Sequence, residues 1–215
     1  MFSLIVFDLD GTLVDSRKDI ADAANLLLES CGAAPLPAHQ IGRMVGDGAP
    51  TLVARAFSAS GREAPADALD RYLEIYGRRL LVHTRPYPGI SEVLAALAAR
   101  ASLAVLTNKP IAATREILSG LGLAPYFRSG RVLGGDGPLP RKPQPEGLTQ
   151  LVADAGVDAG ATVLVGDSLI DWRTARNAGT RVCLARYGFG FETFPTGQLS
   201  ADDFVIDAPG ELLTL

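Results

Sequence analysis

Two aspartates stand one residue apart in "IVFDLDGTLVDS" (5–16), directly after an apolar run that reads as a buried strand. Like charges placed this way repel unless a cation or a bound proton reduces their charge. Asp8 and Asp10 also have the types and spacing for a two-part reaction. One carboxylate attacks phosphorus to form an aspartyl-phosphate, while the second gives a proton to the leaving oxygen and later activates water. The backbone turn at Gly11 presents both side chains at one site. The same stretch, taken alone, also fits a strand ending in an ordinary Asp-Gly turn. Further polar residues follow other apolar runs: Thr107 and Asn108 after "SLAVL", Asp167 and Ser168 after "TVLVG". These are oxygen donors without a nearby His or Cys, a set that favours Mg²⁺ over zinc or copper, and Mg²⁺ in turn points toward phosphate.

The elements that must position these residues are legible as a pattern. Short apolar runs recur at 3–8, 102–107, 161–167, 181–185 and 203–207, continuous rather than alternating, as in parallel strands covered on both faces. Between them, 89–100, 110–122 and 145–156 carry apolar residues at helical spacing. The alternation predicts an α/β fold with a Rossmann-like, doubly wound parallel sheet. In such sheets ligands bind beyond the carboxyl ends of the strands, where the strand order reverses, and the acids and hydroxyls cluster at those ends. Residues 17–85 break the alternation with helical periodicity throughout, which predicts a small α-helical cap domain inserted into a core formed by 1–16 and 86–215. Its first helix, "KDIADAANLLLESCG", places Ile20, Ala24, Leu27 and Cys31 on one face. "APTLVARAF" and "PADALDRYLEIYGRRLLV" read as further helices. Gly46, Asp47 and Gly48 form a turn that either folds over the site and touches substrate or simply connects two helices.

"DLDGTLVDS", "LTNKP", "RKPQP" and "GDSLID" stand in the order and character of the four motifs of haloacid-dehalogenase-like phosphatases, and the chain resembles that superfamily over nearly its whole length. "VGDGAPTLV", "TNKP", "GGDGPLPRKPQP" and "VIDAPGEL" are similar to its phosphoglycolate phosphatase branch, which carries a small helical cap. The resemblance implies a Mg²⁺-dependent phosphatase that converts 2-phosphoglycolate to glycolate and phosphate through an aspartyl-phosphate. The alternatives are a phosphatase for a sugar phosphate such as N-acetylmuramic acid 6-phosphate, or a phosphosugar mutase of the same architecture. It implies that Asp8 is the nucleophile and Asp10 the acid and base. Asp167 joins Asp8 and the Asp10 backbone carbonyl around Mg²⁺, with Asp171 as a second acidic partner. Thr107 and the Asn108 N–H hold a phosphoryl oxygen, and Lys142 neutralises the charge shared by nucleophile and phosphate. Other roles compete at several positions. Asp167 suits a helix N-cap, Asp171 suits a helix's first turn, and Thr107 and Asn108 suit a strand end and a turn. Lys109 competes with Lys142, which is preferred because the prolines of "RKPQP" hold an extended backbone. Arg17, Arg43 and Arg55 are candidate cations toward a substrate carboxylate, none singled out.

Composition bounds the rest. The chain has 215 residues, 47% hydrophobic and 20% charged, which is enough for a folded core with an insertion. A net charge of −4 with scattered Lys and Arg argues against a nucleic-acid partner. The two cysteines, Cys31 and Cys183, read as small core residues without disulfide or zinc spacing. Asp8 and Asp10 interrupt the N-terminal apolar stretch before signal or membrane-span length, so the expectation is a cytoplasmic monomer or homodimer acting on a small phosphorylated metabolite, with no membrane partner. No G-x-G-x-x-G follows the first strand and no P-loop occurs, which disfavours a dehydrogenase or P-loop enzyme. His39 and His83 lack a motif, Trp172 suits packing, and residues 186–203 carry no assignment.

Overall fold

Val, Ile, Leu and Phe in unbroken runs have no polar face to turn to water, so such strands are stable only in a sheet covered on both sides. A computed structural model describes residues 1–215 and places them that way. β1 (Leu4–Phe7) and the two-residue β2 (Val14–Asp15) precede four helices: α1 (Arg17–Ser30), α2 (Ala38–Gly42), α3 (Ala49–Ala59) and α4 (Ala68–Gly77). The chain then runs β3 (Arg85–Pro86), α5 (Ile90–Ala98), β4 (Ser102–Leu106), α6 (Ile111–Gly120), β5 (Val132–Leu133) and α7 (Glu146–Ala155). It ends with β6 (Thr162–Gly166), α8 (Leu169–Ala178), β7 (Arg181–Ala185) and β8 (Phe204–Ile206).

Six strands form one parallel sheet in the order β5-β4-β1-β6-β7-β8. The chain proceeds outward from β1 through β4 to β5, then returns to β6 on the other side of β1, so the order reverses at β1. Alternate side chains serve opposite faces. Ile5 and Phe7 join one apolar cluster with Leu103, Val105, Val163 and Val165, while Leu4 and Val6 join the other with Leu148, Leu151 and Leu164. Cys183 is buried in β7, Cys31 follows α1, and both are free.

α1–α4 lie between β2 and β3, which pair with each other antiparallel, Val14 with Pro86 and Asp15 with Arg85. Buried Asp19 on α1 reinforces this neck by accepting hydrogen bonds from the His83 and Thr84 N–H groups and the Thr84 hydroxyl, each at 2.8 Å. The four helices bury Ile20, Leu27, Leu52, Phe57 and Tyr72 in the same cluster that packs one face of the sheet. α4 is shorter than the apolar spacing of 65–82 suggests: after Gly77 the chain turns at Arg78, and 78–82 form turns. No helix is long and apolar enough to cross a membrane.

Candidate active site

The carboxyl ends of β1, β4 and β6 converge where the strand order reverses. Asp8 and Asp10 follow β1, Thr107 to Lys109 follow β4, and Asp167 follows β6. Gly11 makes the crowding possible. Its backbone adopts φ +84°, and a Cβ there would stand 1.9 Å from Asp167 Oδ2, a distance no side chain tolerates. Ser168, not Asp167, caps α8, and Asp171 completes the capping box with it. The Asp167 side chain is thereby left for the site.

Asp8 and Asp10 have different partners. Lys142 Nζ sits 2.9 Å from Asp8 Oδ1 and 2.6 Å from Asp171 Oδ1. Lys109 Nζ reaches both oxygens of Asp10, at 2.8 and 2.7 Å, with the Ser16 hydroxyl donating to the same carboxylate. Both lysines are buried. Asp171 is engaged on each oxygen, by Lys142 on Oδ1 and by the Ser168 hydroxyl at 2.6 Å on Oδ2. Asp167 meets no cation: its contact is the Gly190 N–H, 2.7 Å from Oδ2.

Four carboxylates therefore face two ammonium groups, an excess of two negative charges in a buried place. Burial, with Asp171 and Asp8 adding repulsion, holds the Asp167 carboxyl well above the usual carboxylate range. Burial also raises Asp8 from 3.8 to about 6, against the lowering pull of Lys142. Against the cost of burying it, Asp171 and Asp8 raise the Lys142 ammonium above its ordinary value. Oxygens of Asp8, Asp167 and Asp171 lie within 4.8 Å of one another, and Asp8 Oδ1 lacks a well-aligned hydrogen bond despite the nearby lysine. An all-oxygen donor set short of two positive charges fits a hard divalent cation.

Asn108 ties the parts together. Its amide donates to the carbonyls of Gly46, at 2.8 Å, and Lys142, at 2.9 Å, and its oxygen accepts from the Lys142 N–H at 2.9 Å. The Asn108 N–H itself has no intramolecular acceptor, and Thr107 is buried beside it. Gly46 and Gly48 line the cleft together with Asp8, Asp10, Asn108 and Asp167. Asp47, grouped with those glycines in the sequence, is not on the cleft wall, and its carboxylate pairs with Arg55 at 2.6 Å.

Four further residues take part: Lys109, which stands inside "LTNKP" as the competitor of Lys142, and Phe189, Gly190 and Glu192, which carried no local motif. Lys109 is on the cleft wall where Lys142 is not; its signal was available, since it too precedes a proline and stands at a strand's carboxyl end. Phe189 and Gly190, from the unassigned 186–203 stretch, line the cleft beside Asp167. Glu192 in the same stretch pairs with Arg17 at 3.6 Å and Arg43 at 3.7 Å. Trp172 donates to Asp203 at 3.1 Å and so packs the tail rather than the site.

Residues 5–185 match the family model described as haloacid dehalogenase-like hydrolase. The chain belongs to the haloacid dehalogenase-like hydrolases. Within that family it is 43% identical over 213 residues to a phosphoglycolate phosphatase of Rhodospirillum rubrum, covering 93% of this chain and 87% of the relative. It is 37% identical over 221 residues to one from Caulobacter vibrioides, covering 98% and 91%. The crystal structure of a predicted phosphoglycolate phosphatase from Haemophilus somnus superposes with a TM-score of 0.90 at 31% identity, covering 99% of this chain and 97% of that one. This haloacid dehalogenase-like hydrolase is thus a phosphoric monoester hydrolase of phosphoglycolate phosphatase type.

Proposed function

We propose that the enzyme hydrolyses 2-phosphoglycolate to glycolate and phosphate, with Asp8 as nucleophile. The observation that carries this reading is that Asp8 and Asp10, two residues apart, are held by different lysines. Two carboxylates with different partners can do different work. In the first half-reaction a new bond forms from an Asp8 oxygen to phosphorus as the bond to the glycolate oxygen breaks, and Asp10 delivers its proton to that oxygen. In the second, water attacks phosphorus and gives its proton to Asp10 as the Asp8–phosphorus bond breaks. Thr107 Oγ and the Asn108 N–H, which has no intramolecular acceptor, would hold phosphoryl oxygens, and Lys142, 2.9 Å from Asp8, would balance charge there.

Asp8 and Asp167, with the Asp10 carbonyl, would hold Mg²⁺, and Asp171 contributes by anchoring Lys142. Bound there, the ion would supply positive charge that stabilises the phosphoryl oxygens. The two lysines together leave two negative charges uncompensated, which supports a divalent ion. Residues 1–16 and 86–215 act as the catalytic core and 17–85 as a helical cap whose Gly46–Gly48 turn meets the substrate with its backbone.

Phosphate release with Mg²⁺, compared as kcat/KM across 2-phosphoglycolate, N-acetylmuramic acid 6-phosphate and hexose phosphates, tests this. A preference of about tenfold or more for 2-phosphoglycolate is expected. A preference for a sugar phosphate would reassign the substrate, and sugar isomerisation without phosphate release would contradict hydrolysis.

A further inference from the structure

A substrate that carries a carboxylate beside its phosphate brings one more negative charge into a cleft that is already acidic. Some cation must meet it. The three arginines nearest in sequence terms are committed elsewhere: Arg17 to Asp15 and Glu192, Arg43 to Glu192, and Arg55 to Asp47. None of them lines the cleft. The helices α1–α4 contribute apolar or aromatic walls there, among them Ile20, Leu52, Tyr72, Leu73 and Tyr76, without a charged group. On the whole cleft wall the charged residues are Asp8, Asp10, Asp167 and Lys109. The single cation is Lys109.

Its position is set from two sides. Nζ bridges both Asp10 oxygens and lies 4.7 Å from the centroid of the Tyr76 ring, so the ammonium stands between the base of the site and the wall formed by α4. The proposed reaction requires Asp10 to touch the leaving oxygen. Whatever that oxygen carries is then the part of the substrate next to Lys109.

We propose that Lys109 is the specificity residue that pairs with the substrate's carboxylate, extending its contact from Asp10 to the leaving group. This rests on the reading of Asp8 and Asp10 given above. An ammonium shared between Asp10 and a carboxylate would favour an anionic leaving group over a neutral one of equal size, because a charged partner in a buried site strengthens the hydrogen bond. The aromatic face of Tyr76 holds the ammonium in place without competing as a hydrogen-bond acceptor.

The experiment measures kcat/KM for 2-phosphoglycolate and for 2-hydroxyethyl phosphate, its neutral counterpart, in the wild type, Lys109→Met and Lys109→Arg, with circular dichroism to confirm folding. Because Lys109 also touches Asp10, Lys109→Met should lose activity on both substrates. The loss on 2-phosphoglycolate should exceed the other by about tenfold or more, chiefly through KM. Lys109→Arg, which keeps the charge, should retain most of the preference. Equal losses on the two substrates, or a Lys109→Met protein that keeps the wild-type preference, would overturn the role of Lys109 while leaving the substrate reading intact. Should Lys109→Met fail to fold, Lys109→Gln takes its place and is judged by the same ratio of losses on the two substrates. A wild type that does not prefer the carboxylated ester would overturn the substrate reading and this inference together.

Discussion

At the residue scale the site is an arrangement of charges that must balance without water. Lys142 touches Asp8 and Asp171 in a place that leaves it 5% exposed. Removing one partner of a buried ion pair strands the others, which costs about 3–5 kcal/mol. Lys142→Met should therefore lower the unfolding free energy in urea by about that amount and abolish turnover, and a loss well under ~1 kcal/mol would show that the lysine is not structurally coupled to the acids. The aspartates were legible in the sequence because a doublet after an apolar run is unusual and a second acidic motif, "GDSLID", stands at the end of another strand. The division of labour between the lysines was not. The prolines of "RKPQP" favoured Lys142 and left Lys109 as its competitor, and only the sheet order decides that β4 delivers Lys109 to Asp10.

At the element scale, strands bring the acids together and turns let them approach. The long apolar runs forecast β1, β4, β6, β7 and β8 because burial on both faces leaves a strong compositional mark. β2, β3 and β5, two residues each, leave none, since two residues show no periodicity. The contribution of Phe189 and Gly190 was equally hidden: they reach Asp167 only after β7 returns the chain to the strand ends. The turn at Gly11 is where element and chemistry meet. Gly11→Ala would force a side chain to φ +84° and into Asp167. It should reduce kcat by about a hundredfold or more while α1–α4 and the sheet keep their circular dichroism, because misplacing one reacting group by about 1 Å is enough for a loss of that size. Wild-type kcat in Gly11→Ala would show that Asp167 can move away freely.

At the scale of the whole molecule, the uncompensated acids link stability to pH and metal. Burial pushes the Asp8 carboxyl from its ordinary 3.8 up to about 6 and moves Asp167 in the same direction. A raised carboxyl favours the folded state below the ordinary value, and that contribution is lost as pH rises through 4 to 6. The metal-free protein is thus strained electrostatically at neutral pH, and a divalent cation relieves the strain. Saturating Mg²⁺ at about 100 times its dissociation constant adds about 2.7 kcal/mol, which corresponds to about 5–10 °C in Tm for a chain of this size. The shift should appear near neutral pH, shrink toward pH 5 and be much reduced in Asp167→Asn. An equal shift at both pH values, or one untouched by Asp167→Asn, would place the ion elsewhere. Whether Asp8 carries the phosphoryl group is read by rapid acid quench of the enzyme turning over 2-phosphoglycolate with Mg²⁺, followed by peptide mass analysis. A phosphoryl group on the peptide containing Asp8, absent from an inactive Asp8→Asn protein, is the predicted result. Sustained turnover by Asp8→Asn, or wild-type turnover with the phosphoryl group found on another residue, would contradict it.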